Sequence, residues 1–543
     1  MSPEAANLEA ARRALAALGD WDTADWLLET EGQPEVSAVR ATDGSAVLVA
    51  GGLLQDSRAG PRAVCESLAA RAIPEGRAPE ASLFGLGSPE LARILMARTD
   101  RLLVLEPAAS VARAFLSLAD RSREIASGRV RLISPWSMAG GIAPPLSPLL
   151  IVHPASRRRD PAMCRAFSDM VRGRAARAPA PGESPRILVV PPFWGGTLSM
   201  GPFLKKAADE LGALGGLLAW PEDLVREAGG LRAAGAGAAD GSLSGAGIFR
   251  KCGRHLADRA RGFRPHLILA LAQAPLDAGG VDALKDACPD ACAAFWFAED
   301  IRRFGYVAGS ASAWDLFLHI QGGIADGKLR DWGVRKAAYL PPCADADFFR
   351  PRRQASSGRF AARVSFMGAA YPNRVRILGD LAGRLEALGL GAGGFRIFGS
   401  GWDRAPEGIR RLLFEGGRRV TADECALIFA GSDVSLNVHS GPGEGFDPES
   451  GFVNPRAFEL AAAGAFQICD PRPLMEGLFT SGEICSAPSP EALPDLVMDW
   501  LARPVDRGRI GAAARRRALD AHLYRHRLAK ILRLAFGTGE ESG

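Results

Sequence analysis

The chain has 543 residues, 47% apolar and 23% charged, and its 66 basic and 61 acidic side chains leave a net charge of +5. That length suits about three domains of ~150 residues, and 63 glycines and 37 prolines without a period exclude a collagen-like or low-complexity chain. So mild a charge gives no reason to expect nucleic acid and suits one local anion site, and no apolar run reaches the ~18 residues of a membrane span.

The opening MSPEAANLEAARRALAAL mixes acidic and basic residues in a helical pattern, unlike a signal peptide. The nine cysteines are scattered, and beside Cys288 and Cys292 no second pair stands at zinc spacing, so they read as reduced thiols. The expectation is a cytoplasmic protein with at most peripheral membrane contact. In the first segment, residues 1–175, ASLFGLG (81–87) and RLLVLEP (101–107) are strands around a helix from Pro89 to Ala97. FGLG (84–87) after one strand, with Glu106 ending the next, is the pattern of a nucleoside-binding Rossmann unit, although it carries two glycines rather than three.

A linker rich in Arg, Ala and Pro (172–186) leads to a second α/β segment, 185–348, with buried-strand runs RILVV (186–190), HLILALA (266–272), AAFWFAE (293–299) and DLFLHI (315–320). The Gly-rich stretch 227–247 reads as a surface loop. Gly195 and Gly196, after the first strand, give backbone room for a substrate. FWFAED ends in Glu299 and Asp300, rings and carboxylates that suit a sugar; Asp300 is the first candidate for a general base that deprotonates an acceptor hydroxyl, against a salt bridge to Arg302 or Arg303.

A second, basic and Ser-rich linker (350–361) precedes the third segment, 360–520, with strands VSFMG (364–368), FRIFG (395–399), DVSLNV (433–438) and FQICD (466–470), and 521–543 form a terminal helix and tail. Asn373 suits a helix cap and puts Arg374 at a helix start, as a diphosphate contact. Gly399 and Gly401 leave room at a strand end or make a tight turn. His439, after a strand, is a second catalytic candidate, against a structural histidine. In SGFVNPRAFELAAAGAFQICD (450–470), Asn454 caps a helix, Pro455 suits its first position and Gly464 its left-handed stop. The helix start gathers N–H groups and positive dipole for a phosphate; Arg456 adds a charge-assisted contact, and Glu459, three residues on and on the same side, suits the hydroxyls of a ribose. Two such parallel sheets in tandem place a cleft beyond their carboxyl ends. Asp345-Ala346-Asp347 is the conspicuous Asp-x-Asp, and no metal is expected there. The arginines of 503–533, with Arg515, Arg516 and Arg517, read as a solvated helix face.

VNPRAFELAAAGAFQICD resembles the donor-binding motif of CgeB-like (spore maturation protein) glycosyltransferases, a branch near the group 1 family. VSFMGAAYPNRVRIL (364–378), LPPCADADFFRP (340–351), AFWFAEDIRRFGY (294–306), DLFLHIQ (315–321) and LYRHRL (523–528) resemble further stretches of that family in the same order. The resemblance implies a GT-B fold: two Rossmann-like parallel-sheet domains facing across a cleft, preceded here by an additional N-terminal Rossmann-like α/β domain. It implies metal-independent hexosyl transfer from a nucleoside-diphosphate sugar to a protein acceptor such as flagellin or to a cell-surface polysaccharide. Asn454, Arg456 and Glu459 would bind the nucleotide sugar, Glu459 at the ribose. The first glutamate of the related Glu-x7-Glu pattern falls on Gly451, so Glu444, Asp447 or Glu449 is left to reach the sugar. The first segment, with LLIVHPASRRRDP (149–161), resembles the methyltransferase-like region of motility-associated flagellin glycosylation factors, read here as a docking domain, with a bound nucleotide or S-adenosylmethionine, or an active methyltransferase, as alternatives. No cofactor is expected. The rival readings of the whole are an S-adenosylmethionine-dependent methyltransferase with a glycan-recognition module, and a non-catalytic sugar-nucleotide-binding protein.

Overall fold

The computed structural model describes all residues except 1, 19, 57–58, 88, 140–145, 148, 196, 234–245, 353–357, 391–392, 442, 448, 450 and 538–543. The chain forms two compact units, Met1–Ala175 and Ala176–Gly543. Among the described residues no helix is long and apolar enough to cross a membrane.

Unit 1 opens with the helices Pro3–Ala17 and Trp21–Trp26, followed by an antiparallel sheet, β1 (Val36–Arg40), β2 (Ala46–Ala50) and β3 (Leu53–Leu54). Its main sheet is parallel: β4 (Ala78–Phe84), β5 (Thr99–Leu105), β6 (Val130–Ile133) and β7 (Leu150–Val152), in the order β6-β5-β4-β7. The strand order reverses between β4 and β7, which is where such a fold opens a crevice beyond its strand ends.

Unit 2 holds two further parallel sheets. The first runs β13-β12-β11-β10-β8-β9, from β8 (Arg186–Val190), β9 (Leu214–Leu217), β10 (Leu267–Leu271), β11 (Cys292–Phe297), β12 (Leu316–His319) and β13 (Ala337–Tyr339). The second runs β15-β14-β16-β17-β18, from β14 (Ala362–Met367), β15 (Phe395–Phe398), β16 (Ser432–Asn437), β17 (Gln467–Cys469) and β18 (Cys485–Ser486). β10 and β11 are buried along their whole length because helices cover both faces, which is why their sequences are continuous apolar runs rather than alternating ones. The switch points fall between β8 and β10 in one sheet and between β14 and β16 in the other.

This is the GT-B arrangement expected from the sequence. The carboxyl edges of the two sheets meet. After β12, Gln321 forms an antiparallel bridge with Phe452, and the Gly322 N–H donates to the Gly451 carbonyl at 2.8 Å. After β11, Arg302 donates to Asp447 of the opposite side at 2.7 Å. The final helix, Tyr524–Phe536, returns to the first sheet, where Tyr524, Leu528 and Ile531 pack with Ile187, Leu269 and Trp296. Arg527 ties this helix to the crossover through the carbonyls of Pro341 and Pro342, both at 2.9 Å or less.

Two expectations need correction. The stretch 227–247 is not simply a loop: its first residues end the helix Glu222–Ala233, its last begin the helix Ala246–Phe263, and 234–245 lie outside the described residues. The strand β9, LGGL, was not foreseen, since paired glycines read as a turn. A Cβ on Gly215 would stand 2.9 Å from the Lys205 carbonyl, and one on Gly216 2.9 Å from the Phe263 ring. The glycines admit two helices close to the sheet edge.

Candidate functional site

The second sheet of unit 2 builds its site at the β14/β16 switch point. The helix Pro372–Ala387 follows β14, and its third residue, Arg374, turns back over the strand ends. The guanidinium donates to the Val438 carbonyl after β16 at 2.9 Å and to the Ala369 carbonyl after β14 at 3.2 Å. It is buried and has no carboxylate partner among the described residues. Burial, and then the charge of Arg456, pull its pKa down to about 9. A guanidinium keeps its proton in a protein, so the cost is carried as an uncompensated buried charge.

Arg456 comes from the other side. Its helix, Pro455–Ala462, starts at Asn454, whose side chain accepts the Ala457 N–H at 3.1 Å, and Gly464 beyond the end takes a positive φ of 69°. Arg456 reaches the Met367 carbonyl at the end of β14, and its Nε has no hydrogen-bond partner. Pro455 has no N–H and the Ala457 N–H is taken by the cap, so the first turn offers an anion the Arg456 backbone and guanidinium rather than a full row of amides. Across the cleft, the guanidinium of Arg303 stands 4.4 Å from the centre of the Tyr371 ring, with Arg374 at 5.3 Å from the same ring. Two arginines therefore meet on Tyr371, and Arg456 adds a third positive charge close to Arg374. None of the three has a carboxylate partner among the described residues.

Glu459, one turn below Arg456, is half-buried, and its carboxylate makes no hydrogen bond among the described residues. Burial raises its pKa, and Arg456 opposes the rise only in part. A desolvated acid that makes no hydrogen bond among the described residues, next to an arginine, is a common mark of a binding site.

Both catalytic candidates need correction. His439 is completely buried. Its Nδ1 faces Asp470 at 2.7 Å, and its Nε2 accepts the Asn454 N–H at 3.0 Å. That fixes a neutral imidazole, and burial lowers its pKa further, so the ring has no free nitrogen for an acceptor proton. Asp470, which burial alone would raise, is held well below the usual carboxylate range by His439 and Arg472. His439 thus positions the helix start from below. Asp300 is also buried and spent: it accepts from Arg302 at 2.9 and 3.1 Å and from Gln321 at 2.8 Å. It anchors the Arg302 clamp to Asp447.

Asn373 is not a cap. It is fully buried, donates to the His439 carbonyl at 2.8 Å and accepts the Gly441 N–H at 3.1 Å, so it pins the loop after β16. Asn454 is a cap and also donates to Asn437 at 2.8 Å. Glu449 is exposed, and Glu444 pairs with Arg376 on the surface. Gly399 has φ 116° and lies against Gly368, where a Cβ would meet that residue's carbonyl at 2.5 Å, so it serves a tight turn. Asp345 and Asp347 both bind Lys206, Asp345 at 2.8 Å; a lysine stands where a cation would.

In the first sheet, Gly195 (φ 112°) lies against the Gln273 side chain, where a Cβ would come within 2.4 Å of Oε1. Gly196 lies outside the described residues. Gln273 and Tyr306 both donate to Glu299 at 2.6 Å. Sequence reasoning missed Arg303, Gln273 and Tyr306 as parts of the site. Gln273 has a positive φ of 66°, unusual for a side-chain-bearing residue, and no sequence signal announces it.

Residues 374–533 match a family model described as glycosyl transferase-like. The match covers 160 of the 543 residues. The match begins at Arg374 and takes in His439, Asn454, Arg456 and Glu459. None of the curated proteins matches the chain. Among solved structures, sucrose-phosphate synthase from Thermosynechococcus elongatus is similar at 11% identity and a TM-score of 0.44, over 66% of this chain and 100% of that one. Anabaena HepE, in complex with UDP and glucose, is similar at 12% and 0.44, over 64% and 98%. The trehalose-6-phosphate phosphatase N-terminal domain of Candida albicans is similar at 13% and 0.43, over 65% and 97%.

Unit 1 has its own switch point, and there the crevice is filled. Gly85 (φ 82°) and Gly87 (φ 57°) follow β4, and a Cβ on either would stand about 2.1–2.2 Å from Ser156 or from the His153 imidazole. Glu106, at the end of β5, is fully buried and accepts the Leu86 N–H at 2.8 Å, the Ala108 N–H at 3.0 Å and the Arg159 guanidinium. The carboxylate that a ribose would need is already engaged, and the glycine loop that a nucleoside would approach is covered by side chains. The residues present do not fit S-adenosylmethionine.

Proposed function

We propose that the protein is a metal-independent glycosyltransferase that moves a hexose-type sugar from a nucleoside-diphosphate donor to a protein or cell-surface glycan, in the CgeB-like branch. The observation that carries this reading is the pair Arg374 and Arg456, two guanidiniums held by main-chain carbonyls at a topological switch point and in salt-bridge contact with no carboxylate among the described residues. Such preorganised cations are aimed at charge that develops during reaction. When the bond between the sugar's anomeric carbon and the diphosphate breaks, the negative charge gathers on the phosphate oxygens, and these two groups take it up. The acceptor oxygen forms the new bond to the anomeric carbon, and its proton passes to an oxygen of the departing diphosphate. Glu459, beside Arg456, receives the ribose hydroxyls and sets the nucleoside end.

The engaged Glu106 and the covered glycines of unit 1 favour a docking role for that unit over the methyltransferase reading. The two are separated by thermal shift of the whole chain with UDP-sugars, GDP-sugars and S-adenosylmethionine, since a ligand that binds only the folded state raises the melting point. A shift with a nucleotide sugar, accompanied by slow release of the diphosphate, is the expected result. A shift with S-adenosylmethionine alone would overturn the proposal, and donor binding without any turnover in the presence of acceptors would leave only a binding protein.

A further inference from the structure

The carboxylates on the loops that border the cleft are largely engaged. After β11, Glu299 holds Gln273 and Tyr306, and Asp300 holds Arg302 and Gln321. After β16, Glu444 pairs with Arg376 and Asp447 with Arg302, while Glu449 is exposed and position 451 is a glycine whose carbonyl accepts the Gly322 N–H. Arg303, on the loop after β11, is half-buried. Its guanidinium faces two rings, Tyr371 at 4.4 Å and Phe304 at 5.6 Å, and makes no ion pair among the described residues. A ring face attracts a cation but leaves its N–H groups without acceptors.

The charged groups of the site follow one another along the cleft. Glu459 is acted on by the charge of Arg456, Arg456 acts on Arg374, and Arg374 shares the Tyr371 ring with Arg303. A nucleoside-diphosphate sugar runs in the order ribose, diphosphate, sugar. With the ribose at Glu459 and the diphosphate at Arg456 and Arg374, the sugar falls beside Arg303. The charge balance points the same way. The diphosphate diester carries two negative charges, which Arg374 and Arg456 match. An uncharged hexose would leave Arg303 partly stripped of water and unpaired, and such burial of a charge is costly.

We propose that the transferred sugar carries a carboxylate, as a hexuronic acid does, and that Arg303 receives it. The proposal rests on the donor reading above and names the donor's class. A guanidinium presents a planar fork of N–H groups that matches the two oxygens of a carboxylate. Arg303 comes from the first sheet, whereas Arg374 and Arg456 come from the second. An acidic sugar therefore ties both sides of the cleft to one donor, and a neutral sugar lacks that tie.

The test is calorimetric titration of the full chain with UDP, GDP and three pairs of donors. The pairs are UDP-glucose and UDP-glucuronic acid, UDP-galactose and UDP-galacturonic acid, and GDP-mannose and GDP-mannuronic acid. In at least one pair the acid binds about tenfold or more tighter than the neutral sugar, the scale of one charge-assisted hydrogen bond. Arg303→Gln brings that ratio to about one, and Arg303→Lys, which keeps the charge without the fork, retains part of it. The inference is overturned if the neutral sugars bind as tightly as their acids in all three pairs. It is also overturned if R303Q leaves the preference intact, or weakens the bare nucleotide as much as the acid, which would make Arg303 a diphosphate contact. The wild-type ratios decide the matter even where a variant fails to fold. If neither UDP nor GDP binds, the donor reading falls and this one with it, whereas nucleotide binding without a preference for an acid removes this one alone.

Discussion

Replacing Arg374 by glutamine removes the buried charge and keeps an amide able to donate to the Val438 carbonyl. A hydrogen bond to a charged group contributes about 1.5–3 kcal/mol, so losing the guanidinium's contact with a diphosphate weakens binding by about 10- to 150-fold. The free protein responds differently. Arg374 lies buried without a salt-bridge partner among the described residues, and burial with Arg456 pulls its pKa down to about 9; removing that charge relieves a penalty and offsets the weaker hydrogen bonding. The assay is thermal shift with UDP and GDP, supported by calorimetric titration. At a nucleotide concentration 100 times the wild-type Kd, wild type gains about 2.7 kcal/mol. A variant with a 100-fold weaker Kd gains only about 0.4 kcal/mol under the same conditions, while its ligand-free melting point stays close to that of wild type. An R374Q protein that keeps the full nucleotide shift, where wild type shows one, would refute the reasoning. If R374Q loses its fold, Arg456→Gln carries the same test from a helix whose cap, Asn454, is untouched.

Glu459→Gln should weaken UDP by about tenfold or more but leave inorganic pyrophosphate nearly unchanged, because the proposed function gives its carboxylate the ribose hydroxyls and not the diphosphate; equal losses for both would place Glu459 elsewhere. Its folded pKa is raised above the ordinary 4.5, so its favourable contribution is complete below that value and is lost as pH rises through the folded pKa; E459Q therefore melts higher than wild type at pH 8, by more than it does at pH 4. Asp470 is depressed, so its contribution is present above the ordinary 3.8 and disappears as pH falls through its folded pKa; Asp470→Asn should cost about 3–5 kcal/mol at pH 7, read by urea unfolding, because it breaks a buried charge pair. Asp447→Ala removes the largely buried tie to Arg302 and should cost about 1.5–3 kcal/mol of stability, and it should open the cleft, seen as a larger radius of gyration in solution scattering; an unchanged radius would show that the 321–322 and 451–452 bridge holds the cleft by itself.

Much of this architecture was written in short apolar runs. RILVV, HLILALA, AAFWFAE and DLFLHI lie on β8, β10, β11 and β12, and VSFMG, FRIFG, DVSLNV and FQICD lie on β14 to β17, because strands buried on both faces have no polar alternation to confuse them. Edge strands were harder: β9 is two leucines around two glycines, and β13 and β18 are only three and two residues long. The helix at 455–462 was legible because its cap, its first-turn proline and its glycine stop are all local signals. What those residues do was less so. His439 and Asp300 sit at strand ends, as a base would, but their roles are set by Asp470, Arg472, Arg302 and Gln321, partners that local spacing does not reveal. Arg302 and Arg303 are neighbours in sequence, yet one closes an ion pair across the cleft and the other stacks on Tyr371. Likewise Glu106 has the right position for a ribose and is already bound to Arg159, which is 53 residues away.

The central claim is that the β14/β16 switch point holds a diphosphate. A crystal structure of the chain grown with UDP or GDP measures it directly. The account predicts phosphate oxygens within hydrogen-bond distance of Arg374 and Arg456, with the ribose at Glu459. A nucleotide seated elsewhere, with the two guanidiniums still bonded only to their main-chain carbonyls, would contradict it.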